Sequence, residues 1–173
     1  MKRISFSLVA LMVAVLGVMT SCKDDDALKG IVTYTVERPN DLQTQLNGTV
    51  KFLDVFNVSV TYKNASGKMV TEDNVGLPFT FKQEVEAPFT AMIEVNITLR
   101  ELENPPYEFP RPNGKLTKIT VASSGKLLSV GMPAPGTGSG LYSGVETWLA
   151  ANGKISYQLD FTEEAIEKSG AVQ

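Results

Sequence analysis

Phe89-Thr90-Ala91-Met92-Ile93-Glu94-Val95-Asn96-Ile97-Thr98-Leu99 is the stretch on which the fold turns. Phe89, Ala91, Ile93, Val95, Ile97 and Leu99 alternate with Thr90, Met92, Glu94, Asn96 and Thr98. This period of two puts one strand face on an apolar interior and the other in water. The preceding segment repeats the pattern, with Phe79, Phe81, Gln83 and Val85 on one face and Thr80, Lys82, Glu84 and Glu86 on the other. Ala87-Pro88 between the two predicts a hairpin, with Glu94 across from the glutamates. Val58, Val60 and Tyr62 make a third strand, closed by the turn-prone Asn64-Ala65-Ser66-Gly67, after which Lys68 to Thr71 returns.

The same alternation places strands over Val32, Tyr34 and Val36, over Ile119 and Val121, and over Ile155, Tyr157, Leu159 and Phe161, with Leu127 to Met132 as another. About eight short alternating strands, without the continuous apolar runs of a parallel sheet, predict an all-β, immunoglobulin-like antiparallel β-sandwich. Asp54 falls on the phase that continues into Val58 and Val60, so a bulge or strand break is expected to turn it outward. In Leu141 to Ala151, Ser143 and Glu146 have capping-box spacing. The Asn152-Gly153 pair after them favours a tight hairpin over a helix. Thr162 to Lys168, with an N-cap candidate and two early glutamates, predicts a short C-terminal helix at the periphery.

Lys2 and Arg3 precede Leu8 to Met19, twelve residues with nothing more polar than Gly17. That run is too short to cross a bilayer and reads as a secretory signal. It ends at Thr20-Ser21-Cys22, the chain's one cysteine, followed by Lys23-Asp24-Asp25-Asp26. This junction resembles the lipobox of bacterial lipoproteins, with Met19 and Ser21 where Leu and Gly or Ala are usual. Lys23, Asp24 and Asp25 resemble the tag of Bacteroidota-type lipoproteins exported to the cell surface. The resemblance implies removal of residues 1–21, diacylation of Cys22, an acidic linker over 22–29 and an outer-membrane location facing outward. One acyl chain holds a protein reversibly at ~0.8 kcal/mol per buried methylene, and two or three hold it almost permanently. The seven residues from Lys23 to Lys29 reach at most ~25 Å, keeping the folded part near the headgroups. Three aspartates in a plain solvated linker are the alternative.

The remaining 152 residues, 30–173 above all, suit one sandwich domain with interior enough to fold unaided. Loss of Lys2 and Arg3 leaves fourteen basic against nineteen acidic residues, a net charge of −5. Scattered lysines and arginines in an acidic chain exclude a nucleic-acid partner. The chain contains no histidine, and the lipobox resemblance implies that Cys22, its one cysteine, carries lipid. Imidazole-dependent nucleophile systems and the common zinc sites therefore cannot be built, and no cofactor is implied. From Val60 onward the order strand, Tyr62 to Gly67, strand, Leu77-Pro78-Phe79, paired strands is similar over about 40 residues to bacterial immunoglobulin-like accessory domains of the MmpS type. The tryptophan usual after that Leu-Pro is Phe79 here. The similarity bears on fold alone.

Glu84 and Glu86 share a strand face, as an acid and base pair would, but alternation puts them on the wet side, where charge keeps a sheet soluble. Pro105 to Gly114 is a stiff loop carrying Tyr107, Phe109 and Arg111 between prolines. With Tyr142 and Trp148 these form the candidate ligand-binding set, suited to stacking on sugars or to burial under a protein partner. The alternative is a crossover whose aromatics plug the sandwich end. Gly136 to Gly140 lacks the Gly-Lys-Ser/Thr of a phosphate cradle, and Ser139 lacks a nucleophile elbow, so the segment reads as a surface loop. The Asn-x-Ser/Thr triplets at Asn47, Asn57, Asn64 and Asn96 read as coincidence beside a bacterial signal. Calcium held by loop carboxylates stays open, although no twelve-residue acidic loop is present. The expectation is a surface lipoprotein that binds a glycan or a protein without catalysis. Its alternatives are an accessory subunit of an outer-membrane complex, pairing through a strand edge, and a carboxylate-only glycoside hydrolase.

Overall fold

The computed structural model describes residues 27–112, 116–131 and 137–169. The predicted signal, Cys22 and the Lys23-Asp24-Asp25 tag lie outside the described residues, as do Asn113, Gly114, Met132 and Gly136.

The elements in order are β1 (Lys29–Val36), β2 (Leu42–Thr44), β3 (Gly48–Val50), the helical turn α1 (Phe52–Val55), β4 (Phe56–Lys63), β5 (Met69–Glu72), β6 (Phe79–Glu86) and β7 (Phe89–Leu99). They continue through β8 (Glu108–Pro112), β9 (Thr117–Ser123), β10 (Lys126–Gly131), β11 (Thr137–Leu141), α2 (Val145–Asn152), β12 (Lys154–Phe161) and α3 (Glu163–Ser169). Two four-stranded antiparallel sheets, β10-β9-β1-β6 and β12-β7-β4-β5, form the sandwich. Two small sheets, β11-β8 and β2-β3, lie outside them. The all-β sandwich expected from the alternation is the fold, with twelve described strands in place of about eight.

The alternation fails nowhere in the central strands. Ala91, Ile93, Val95 and Ile97 of β7 face Val58, Val60 and Tyr62 of β4 across a register that pairs Val60 with Val95. Val32, Tyr34, Val36, Ile119 and Val121 line the opposite sheet, all fully buried. At about 1.5–3 kcal/mol per buried apolar side chain, this double row is the main stabilising term. The break at Asp54 is the helical turn α1. It leaves Asp54 exposed, with its Oδ2 accepting the Lys51 N–H at 3.1 Å.

Three connections differ from expectation. Ala87-Pro88 is not a hairpin: β6 pairs with β1, while β7 pairs with β4 and β12 in the other sheet. Pro88 offers no N–H and the Ala87 N–H goes to the Leu28 carbonyl at 2.9 Å, so the two residues carry the chain across the sandwich edge. Glu94 therefore pairs with Lys154 of β12, at 3.0 Å, and not with the glutamates of β6. The Asn152-Gly153 pair ends a helix, α2, in place of turning a hairpin. The Gly153 N–H caps the Leu149 carbonyl at 2.7 Å, and its own carbonyl accepts the Ile97 N–H at 2.6 Å. Gly138 to Leu141 belong to a strand, β11, and not to a surface loop. The C-terminal helix α3 is capped as expected by Thr162, whose hydroxyl accepts the Ala165 N–H at 3.1 Å. It also buries Ile166 against the core.

Polar groups inside the sandwich are paired, with the buried Thr117 hydroxyl the exception among the described residues. The Tyr34 hydroxyl donates to the Lys63 carbonyl at 2.6 Å, tying one sheet to the other. The Gln83 amide donates to the same carbonyl at 2.8 Å and its oxygen accepts the Ala65 N–H at 2.7 Å, which explains a glutamine on the inner face. The Tyr62 hydroxyl donates to Glu72 at 2.8 Å, and its ring centroid lies 4.3 Å from that of Phe81. Burial pushes the Tyr34 hydroxyl up to about 12, and burial with the adjacent Glu72 does the same for Tyr62. Both groups are neutral in the fold and ionise near pH 10 when exposed in the unfolded chain. Their stabilisation is thus complete below about pH 10 and is lost as pH rises through 12. Denaturant melts should show a loss on the order of 3 kcal/mol over that window, shallower in Tyr34→Phe. An identical slope in both proteins would contradict the assignment.

Candidate functional site

The sandwich has two ends. β1 begins at the proximal end, where the Ala87 N–H meets Leu28 and the Ser123 hydroxyl donates to the Lys29 carbonyl. The 64–67 turn and α3 lie there too. The distal end carries the start of β4 and the end of β7, capped by α1, α2, β2-β3 and β8-β11. The eleven residues of β7, at ~3.3 Å each, separate the ends by roughly 33 Å.

All five aromatic and basic candidates lie at the distal end, in two different environments. Phe109 on β8 is 1% exposed and sits in an aromatic cluster. Its ring centroid lies 5.6 Å from Phe56 at 82° and 5.6 Å from Trp148 at 62°. Trp148 on α2 also touches Phe56, at 5.4 Å, and Phe52 lies 4.7 Å from Phe56. Phe109 and Trp148 are therefore not displayed for a ligand. They plug the sandwich end: β8, paired to β11, buries Phe109, Pro110 and Pro112, and α2 brings Trp148 against the Phe109 ring. Prolines 110 and 112 fit such a short strand outside the main sheets. Glycines opposite make it possible. A Cβ on Gly140 would come within 3.0 Å of both the Phe109 ring and the Arg111 Nε, so the bare backbone leaves room for both side chains. Arg111 is exposed beside it.

Tyr107 behaves differently: it is 58% exposed, just before β8. Its N–H donates to the Asn47 side-chain oxygen at 2.8 Å, and its carbonyl accepts the N–H of half-buried Tyr142 at 2.8 Å. These two bonds join the tip of the β2-β3 hairpin, the loop before β8 and the turn after β11. Leu46 at the hairpin tip, 74% exposed, and Leu141 at the end of β11, 51% exposed, belong to the same three segments.

A shallow cleft of about 280 Å³ opens beside Tyr107. Its floor is Val50 and Val55, its walls carry Leu102 and Pro106, and its polar groups are Asn47, Thr49, Asp54 and Asn104. The loop forming one wall is pinned by the Arg100 N–H on the Val55 carbonyl at 2.9 Å. Asp54 was visible in the sequence only as a phase anomaly and Asn47 and Thr49 only as parts of one triplet, while Asn104 carried no signal at all. Their meeting depends on contacts some 60 residues apart, such as that between Asn47 and Tyr107.

The carboxylate pair is elsewhere. Glu84 and Glu86 stand on the wet face of β6, 67% and 61% exposed, with the Lys29 ammonium 3.8 Å and 3.6 Å away. Exposed ion pairs of this kind contribute little to stability. Among the described residues no three His, Cys, Asp or Glu side chains converge as a metal site would require. Among them, too, no helix is long and apolar enough to cross a membrane. No family model matches the chain, and no curated protein matches it.

Proposed function

We propose that this protein is a lipid-anchored lipoprotein of the outer membrane, facing the cell exterior, that binds its ligand non-catalytically through the distal end of the sandwich. The opposition of the two ends carries this reading. The chain leads into β1 at the proximal end, seven residues beyond Cys22, while the exposed Tyr107, Leu46 and Leu141 lie a sandwich length away. A lipid on Cys22 would hold the proximal end at the headgroups and leave Tyr107, Leu46 and Leu141 free for solution. The lack of any histidine and the exposed, lysine-flanked setting of Glu84 and Glu86 favour binding over hydrolysis.

A second reading, an accessory subunit of an outer-membrane complex, has one observation in its favour. The register aligns Leu127 with Ala122 and Ala122 with Ile31 in a row across the outer face of one sheet. Leu127 and Ile31 are 61% and 51% exposed. Such a row suits a protein neighbour.

Mass spectrometry of the native product tests the anchor. The expected N-terminal peptide begins at residue 22 and carries a diacylglyceryl thioether. An unmodified thiol at Cys22, or a retained residue 21, would overturn the reading.

A further inference from the structure

We infer that the cleft lined by Asn47, Asp54 and Asn104, with the exposed Tyr107 next to it in the chain, is a subsite for one pyranose unit of a neutral glycan. The inference rests on the proposal that the distal end is the free end, and deepens it by naming the ligand class.

Three features of the cleft select that class. The first is size: about 280 Å³ lies just below the roughly 300–1,000 Å³ of clefts for drug-sized ligands, enough for a single ring with its neighbours continuing into solvent. The second is the mixture of surfaces. A sugar ring has an apolar face of C–H groups and an equator of hydroxyls that both donate and accept. Here Val50, Val55, Leu102 and Pro106 supply apolar wall, and the exposed Tyr107 follows Pro106 in the chain, beside the lining, with its backbone N–H on the Asn47 side chain. Unspent polar groups surround it. The Asn47 oxygen is occupied by the Tyr107 N–H, which leaves its amide to donate, and Asp54 uses one oxygen on Lys51, which leaves the other to accept. The Asn104 side chain has no hydrogen-bond partner among the described residues and offers both.

The third feature is charge. The residues lining the cleft include one carboxylate, Asp54, and no lysine or arginine. A uronate, sialate or phosphate group would meet that carboxylate without a countercharge, at a cost that a neutral hydroxyl avoids. An acidic peptide is disfavoured on the same ground. The site is also pre-organised. The Asn47 to Tyr107 bond, the Tyr107 to Tyr142 bond and the Arg100 to Val55 bond fix its three segments before any ligand arrives, so little ordering entropy opposes binding.

The test is calorimetric titration of the full lipidated protein, held in a detergent without a sugar headgroup. The probes are hexasaccharides of β-linked glucose, mannose, xylose and N-acetylglucosamine, with trigalacturonate as the anionic counterpart. At least one neutral hexasaccharide is expected to bind, with trigalacturonate at least tenfold weaker. Tyr107→Ala and Asn104→Ala should each weaken the neutral sugar about tenfold, while Tyr107→Phe, which keeps the ring, stays within about threefold. Tyr107 and Asn104 are exposed, so thermal melts should coincide with the wild type. Binding of no neutral sugar, preference for trigalacturonate, or full affinity in Tyr107→Ala would each overturn the inference. Labelling of the distal end on intact cells separates the two levels. Labelled cells without sugar binding remove the glycan and leave the outward-facing lipoprotein, and sugar binding without labelling does the reverse.

Discussion

Phe109→Ala is expected to cost about 3–5 kcal/mol of folding stability, the range for truncating a fully buried aromatic. The ring is 1% exposed and meets Phe56 and Trp148 edge-on, at centroid distances of 5.6 Å each. It thus joins β8, β4 and α2 at one point. Aromatic pairs in such geometry add about 0.5–1.5 kcal/mol beyond their buried area. The strand that carries it belongs to a two-stranded sheet, β11-β8, held by its ladder and by the burial of Phe109, Pro110 and Pro112, of which Phe109 is the largest. Since whole domains are stable by only about 5–15 kcal/mol, the variant should unfold at a much lower denaturant midpoint with an unchanged slope. A loss below about 1 kcal/mol would mean that Phe109 is displayed and not part of the plug. Tyr107→Ala, two residues away and exposed, should leave the midpoint within about 0.5 kcal/mol of wild type. The contrast separates the structural aromatics of the distal end from the one available to a ligand.

The central strands were legible because one face of each is buried, which forces the period of two on β1, β4, β7, β9 and β12. Alternation reports which face is inside and says nothing about which strand lies alongside. Hence the misplacement of β6: its inward set Phe79, Phe81, Gln83 and Val85 was correct, but its partner is β1 and not β7. The same blindness hid β8 and β11. Prolines and glycines that normally mark loops are compatible with short strands outside the main sheets, and Gly140 in particular serves the close approach of Phe109 and Arg111. At Asn152-Gly153 a local hairpin signal lost to tertiary packing. Val145, Trp148 and Leu149 all reach the core from a helix, and Gly153 closes it. The candidate aromatics were partly legible, since their gathering at one end is real. Their sorting into plug and display was not, because it depends on the register of β8. The cleft was scarcely legible at all, being assembled from the β2-β3 hairpin, α1 and the 100–107 loop.

The chain enters the sandwich at the proximal end, and Tyr107, Leu46 and Leu141 are exposed at the distal end. If Cys22 is acylated and the protein faces outward, a probe that cannot cross the outer membrane must reach Leu46. Cys22 is the chain's one cysteine and its sulfur is blocked in the lipidated form, so Leu46→Cys gives a single reactive thiol at a position 74% exposed. The hairpin tip makes no buried contact that this substitution removes, so folding and export should be unaffected. The decisive measurement is labelling of that thiol by a charged, membrane-impermeant maleimide on intact cells. The account predicts the same extent of labelling before and after the outer membrane is permeabilised, with the wild type unlabelled in both. Labelling of Leu46→Cys that appears only after permeabilisation would place the distal end inside the envelope and contradict it.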